Sequence, residues 1–161
     1  GAKEMDKSFI SLYKAIFFGL ATIVVIPREV YKKFFLYGFI FGAIGDILHI
    51  LIFEKGLGLF RYSNMGPFSI YGLFSFWTPI AWMFTFMLFF YFLPRKRLFL
   101  YLYIVGFALF GYMVGLVLEG FGVFHYIGLW RYAAPFYYIL WFSGAAWAYY
   151  RIEKVKIIEH I

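Results

Sequence analysis

Phe34-Phe35-Leu36-Tyr37-Gly38-Phe39-Ile40-Phe41-Gly42-Ala43-Ile44-Gly45-Asp46-Ile47-Leu48-His49-Ile50-Leu51-Ile52-Phe53 is an apolar run interrupted only by one acid and one histidine. About 20 residues of helix cross the hydrocarbon core of a bilayer, so this stretch has the length of a span. Its apolar residues are continuous rather than alternating, which argues against a membrane strand. Gly38, Gly42, Gly45 or Asp46, and His49 recur at helical spacing and form one narrow stripe, small at one end and polar at the other.

Four further runs share this character. Together the segments 8–26, 34–53, 69–93, 98–121 and 133–150 predict an all-α, polytopic membrane bundle of five transmembrane helices in one integral domain, 1–161. Pro27-Arg28-Glu29 ends the first run and Pro94-Arg95-Lys96-Arg97 the third. The first carries Lys14 about two turns from its start, where a long amine snorkels to the headgroups; the alternative is that this segment lies in the interface.

Composition agrees. Of 161 residues, 65% are hydrophobic and 14% charged, against roughly 45–50% and about 25% in soluble domains. Mean hydropathy is +0.81. A soluble chain this small lacks the polar side chains to cover its core, so the surrounding medium is expected to be largely lipid. The absence of cysteine excludes disulfides, thiolate metal sites and thiol nucleophiles. The net charge of +7 sits in short clusters between apolar runs, which fits anionic lipid and topology signals rather than a nucleic-acid groove. Gly1-Ala2 reads as a cleavage scar.

The basic residues set the expected orientation. With the loop after the first run inside, the inner side holds Arg28, Lys32, Lys33, Arg95, Lys96, Arg97, Arg151, Lys154 and Lys156. The outer side holds Lys3, Lys7, Lys55, Arg61 and Arg131. The excess predicts a multi-pass membrane protein with its N-terminus outside and its C-terminus in the cytoplasm.

Gly58-Leu59-Phe60-Arg61-Tyr62 and Gly128-Leu129-Trp130-Arg131-Tyr132 share a pattern at an offset of 70, which also aligns Gly45 with Gly115 and His49 with Glu119. The match predicts a tandem two-helix parallel repeat, 34–93 and 104–150. A second glycine stripe, Gly111, Gly115, Glu119 and Gly122, is expected to face the first. Asp46 and Glu119 would then meet in the outer half of the bundle as catalytic candidates. His49, Arg61, Tyr62, His125, Trp130, Arg131 and Tyr132 would bind around them.

An acid facing lipid costs about 2.5–3.5 kcal/mol even on translocon scales. Asp46 is therefore expected to face protein or water and either to be protonated or to have a partner, His49 being the nearest and Arg61 or Arg131 the ones that could fold inward. An acid–arginine pair that merely pins a loop is the plainer alternative. Asp46, His49, Glu119 and His125 could in principle bind a divalent ion, but no HExxH or comparable spacing points to a metal; the cofactor is left open, and no serine carries a nucleophile-elbow pattern. Aromatics make up 27% of the chain. Trp77, Trp82, Trp130, Trp141 and Trp147, with Phe74, Phe76, Phe84 and Tyr138, offer flat faces for a polyene, sterol or quinone.

The intramembrane acid followed by Gly-x-aromatic-Arg-Tyr resembles small uncharacterised multi-pass proteins of Gram-positive bacteria. The match rests on Gly45-Asp46 with Arg61-Tyr62, and on Glu119 with residues 128–132. That resemblance implies a cytoplasmic-membrane location. More distantly, the Glu and Trp-x-Tyr hairpins are similar to the membrane carotenoid (lycopene) cyclases, though without the paired acids at the start of a following helix. This likeness implies acid catalysis on isoprenoid chains.

The expected function is binding or processing of a lipid-like ligand, such as an isoprenoid or quinone, in an outer-facing polar and aromatic pocket. Such a site calls for roughly 300 Å³ touching Asp46 or Glu119. The alternatives are a small transporter or proton relay, and a structural subunit. In the last case the glycine-rich faces would pack against a protein partner or a second copy.

Overall fold

A computed structural model describes residues 7–159. Gly1-Ala2 and Lys3 lie outside the described residues. Helix accounts for 74% of the chain, and the protein is all-α in class with two small β-ribbons.

Helix α1 is Ile10–Val25. It stops because Pro27 disfavours helical backbone in the residue before it; Ile26 is extended, with φ −85° and ψ 123°. Pro27 in turn caps α2, Arg28–Gly56, which carries an acid, Glu29, in its first turn. Strand β1, Phe60–Tyr62, follows a turn at Gly58, whose φ of +65° favours glycine. Next come a short hairpin of β2, Ser69–Ile70, and β3, Phe74–Ser75, and then α3, Trp77–Tyr91. Helix α4 is Arg97–Gly120, strand β4 Phe124–Tyr126, and helix α5 Trp130–Glu153.

The five apolar segments become five helices, but they are not five helices of spanning length. Among the described residues only α2 and α4, with 29 and 24 residues, are both long and apolar enough to cross a membrane; α5 also has 24 residues but is less apolar. Helix α1 has 16 residues and α3 has 15, or about 24 and 22 Å of rise. The segment expected at 69–93 shortens because its first residues form the β2–β3 hairpin. Tyr71 and Gly72 turn it with φ of +52° and +71°.

Helix α3 is the centre of the packing. Phe86, Met87, Phe89 and Phe90 are fully buried on it. Phe86 stacks on Phe142 of α5 at 4.7 Å between centroids, and Phe89 meets Phe107 of α4. The glycine stripe of α2 packs here too. A Cβ on Gly42 would sit 2.6 Å from the Trp82 carbonyl oxygen, and one on Gly38 would sit 2.6 Å from that of Met83. The two glycine stripes therefore do not face one another. The first admits α3, whereas Gly111 lies against Trp82 and Gly115 against the Tyr126 hydroxyl.

The ends of the molecule differ in charge. At one end Lys33 pairs with Glu153, and the Tyr150 hydroxyl donates to the Pro94 carbonyl. Arg97 pairs with Glu159 at 2.5 Å at the same end. This gathers the start of α2, the α3–α4 turn and the end of α5, the segments that carry most of the lysine and arginine. At the other end β1 and β4 pair antiparallel, with Phe60 opposite Tyr126, Arg61 opposite His125 and Tyr62 opposite Phe124.

That pairing changes the repeat. Gly58 and Gly128 share a positive φ, but Phe60–Tyr62 then forms a strand while Trp130–Tyr132 opens a helix. The structural counterpart of Phe60-Arg61-Tyr62 is Phe124-His125-Tyr126.

Candidate functional site

Each strand of the β1–β4 ribbon is tied to the helix before it by a glutamate. The Tyr62 N–H donates to Glu54 Oε1 at 3.0 Å, and the Tyr126 N–H to Glu119 Oε2 at 3.0 Å. The two acids then part company. Glu119 also accepts both guanidinium arms of Arg131, at 2.6 and 2.5 Å. It is a pin between α4, β4 and the start of α5, reinforced by the Tyr112 hydroxyl on the Arg131 carbonyl. A carboxylate held this way has its lone pairs engaged and is no free acid.

The plainer alternative thus describes Glu119 well, and it has a direct test. Arg131→Ala and Glu119→Gln should each lower the melting temperature in detergent, and the double variant should be little worse than either single one. Fully additive losses would show that the pair is not one unit.

Asp46 stands elsewhere. It is 3% exposed, and its Oδ2 has no hydrogen-bond partner among the described residues. The charges within its electrostatic reach are Lys14 of α1 and Glu54 on its own helix, with the phenols of Tyr62, Tyr137 and Tyr138 nearby. Glu119 is engaged by Arg131 and the Tyr126 N–H instead, and shares no hydrogen-bond partner with Asp46 among the described residues. Lys14, read as a snorkelling amine, instead turns toward the interior and lines its cavity.

His49 does not bond to Asp46. Its ring is boxed by Phe53, Phe60, Tyr137, Tyr138 and Trp141, with centroids 4.7–6.2 Å away. Both of its nitrogens lack hydrogen-bond partners among the described residues. Helix α2 is wound irregularly around this pair of residues. Asp46 and His49 lie in a short α segment, Gly45–His49, between two π-helical stretches, Phe39–Ile44 and Ile50–Gly56. Extra residues per turn of this kind are often found at functional sites.

The remaining candidates are peripheral. Arg61 is exposed and His125 half-buried, facing each other across the ribbon. Tyr132 is exposed, and Trp130 stacks on Phe53 at 5.2 Å. Burial pushes the phenols of Tyr62 and Tyr126 well above their ordinary range. The carboxylates of Asp46 and Glu54 add to this for Tyr62, and the Tyr138 phenol for Tyr126. Both therefore remain neutral phenols. Among the described residues no group of three metal-ligating side chains gathers.

The interior space is smaller than expected and differently lined. A cavity of about 40 Å³ is bounded by Lys14, Tyr62, Trp82, Thr85, Gly111 and Tyr138 among others; neither Asp46 nor Glu119 lines it. This admits a water-sized guest and excludes a ring system. Tryptophans expected to stack on a ligand pack against protein instead, Trp82 against Trp141 with centroids 4.8 Å apart and ring planes tilted by 42°. Trp147 points outward.

A larger space lies on the flank. Helices α1 and α4 leave a groove of about 440 Å³ between Ile10, Tyr13 and Phe17 on one side and Met113, Val117 and Phe121 on the other. Lys14, Phe18, Val114 and Leu118 line both groove and cavity, so the two adjoin. Sequence reasoning missed Lys14 and Glu54 as site residues. The signal for Glu54 was a glutamate followed by Phe-x-Tyr, present after both α2 and α4. Compared with known protein families, curated proteins and solved structures, the chain matches none.

Proposed function

We propose that this chain is a five-helix membrane protein that takes a lipid-like amphiphile from the bilayer through the α1–α4 groove. The ligand's polar end would lie at Lys14, beside Asp46 and Tyr62, and its apolar chain along Phe17, Val117 and Phe121. The observation that carries this reading is the groove itself. It is open to the flank, walled by apolar side chains, and it adjoins the polar interior at Lys14. The flanks elsewhere expose Val24, Leu102, Phe136 and Leu140, a surface suited to hydrocarbon. Helix α3 is short, but most of it is buried against protein rather than exposed on the flank. The basic end, with Arg95, Lys96, Arg97, Arg151 and Lys154, would face the cytoplasm.

Native mass spectrometry of the gently purified protein tests the proposal. The wild type should retain an amphiphile. Val114→Trp, which fills the boundary between groove and cavity, should lose it while remaining folded. Retention by Val114→Trp, or absence from the wild type, overturns the reading.

A second reading, a proton relay, is favoured by one arrangement. Asp46 Oδ2, both His49 nitrogens and Glu54 Oε2 are buried and without hydrogen-bond partners on successive turns of α2. It predicts proton entry into vesicles bearing the wild type and none with Asp46→Asn, read with an enclosed pH dye.

A further inference from the structure

We infer that the groove between the end of α1 and the first turns of α2 is a binding site for an anionic phospholipid. This site lies on the basic end of the molecule, apart from the α1–α4 groove, and it rests on the reading that the chain is embedded in a bilayer.

Pro27 breaks the chain between two helices and leaves a V-shaped groove of about 640 Å³. Its apolar walls are Ile23 and Ile26 from the α1 end and Phe35 from α2. The two helices are joined across it, because the Tyr31 hydroxyl and Thr22 Oγ1 are 2.9 Å apart in a hydrogen bond. Thr22 itself donates to the Gly19 carbonyl at 2.7 Å. The apolar walls are therefore held in place before anything binds, which lowers the ordering cost of a ligand.

Charge identifies the occupant. Arg28 and Lys32 stand four residues apart, one above the other on the same face of α2, and both line the groove. Both are exposed and form no ion pair among the described residues. The neighbouring Lys33 is already taken by Glu153. Glu29 is not in the groove lining. Two unpaired cations above an apolar cleft match a phosphate headgroup with net negative charge over an acyl chain. A zwitterionic headgroup would bring its own ammonium against them. Each cation near an anionic surface is worth roughly a fivefold preference, so the pair is expected to favour the anionic lipid over the zwitterionic one by about 25-fold.

The test uses nanodiscs of three parts dioleoylphosphatidylcholine to one part dioleoylphosphatidylglycerol, with the lipids that stay on the protein counted by native mass spectrometry. The wild type should retain phosphatidylglycerol and phosphatidylcholine in a ratio about 25-fold above that of the bilayer. Arg28→Gln/Lys32→Gln should fall to the bilayer ratio, while Arg95→Gln/Lys96→Gln, which removes equal charge outside the groove, should keep the enrichment. Equal loss in both double variants, or no loss in the first, overturns the site. So does displacement of the lipid by millimolar inorganic phosphate, which would mark a free-anion site. Incorporation into the discs without enrichment overturns this inference alone. Failure to enter the discs at all removes the membrane reading beneath it.

Discussion

Replacing Gly42 with valine is expected to unseat α2 from α3 and to give the largest loss of stability of any single change on the α2 stripe. The contact is between backbones. A Cβ at this position would lie 2.6 Å from the Trp82 carbonyl oxygen and 2.7 Å from the Met83 Cα. Neither atom yields by a rotamer change, so a helix must move. Overpacking of this kind costs about 1–3 kcal/mol, and more where the main chain has to shift. Even Gly42→Ala should lower the melting temperature in detergent, and Gly42→Val should lower it further or prevent purification of a folded protein. Gly106 on α4 supplies the control, since a Cβ there meets nothing within 4 Å. Gly106→Ala should leave stability unchanged or raise it through helix propensity, worth up to about 1 kcal/mol. If Gly42→Ala behaves like Gly106→Ala, the α2–α3 approach is looser than the structure has it.

The same glycines show where the sequence was informative. The stripe Gly38, Gly42, Gly45 announces close approach because only small residues let helix axes come together. It carries nothing about which helix approaches. The pairing with α4 was inferred from a second stripe of like spacing, whereas Gly38 and Gly42 admit α3, whose contribution is bare backbone at Trp82 and Met83 and leaves no mark in sequence, and Gly45 admits the Trp141 ring of α5. Hydropathy located all five helices, yet it ran through 69–76, because a hairpin built from Ile70, Phe74 and Phe76 is as apolar as a helix of that length. The Tyr71-Gly72 turn was the visible signal there. Offsets misled for a related reason. Gly-x-aromatic-Arg-Tyr matched at five positions, whereas the hydrogen-bonded unit is a helix-terminal glutamate and a Phe-x-Tyr strand with one residue of slack between its two copies. Glu119 was legible as an acid with an arginine downstream. That Arg131 satisfies it fully, and that Asp46 looks instead to Lys14, depends on helix rotations that a pattern of residues does not encode.

Lys14→Met is expected to destabilise the protein, and Asp46→Asn to rescue it. Asp46 is 3% exposed with one oxygen unpartnered, and Lys14 is the cation within its electrostatic reach from α1. Removing the ammonium leaves an acid in an apolar surround with Glu54 as its other charged neighbour, an arrangement that must either protonate or draw in water. For buried ion pairs in contact, loss of one partner costs about 3–5 kcal/mol. Lys14 and Asp46 form no direct ion pair, so a smaller penalty follows. Asp46→Asn alone should cost less, because Lys14 is only half-buried and lines a groove through which its amine can reach the headgroups. In the double variant both charges are gone, and its melting temperature should lie close to that of Asp46→Asn. The measurement is a double-mutant cycle on thermal unfolding in detergent, with a coupling of about 0.5 kcal/mol expected for two charges that interact without a direct pair. A Lys14→Met loss that persists undiminished beside Asp46→Asn would mean that α1 and α2 hold their charges independently. The polar end of the groove would then be a single amine rather than a paired site, and a ligand bound there would need to bring its own counter-charge.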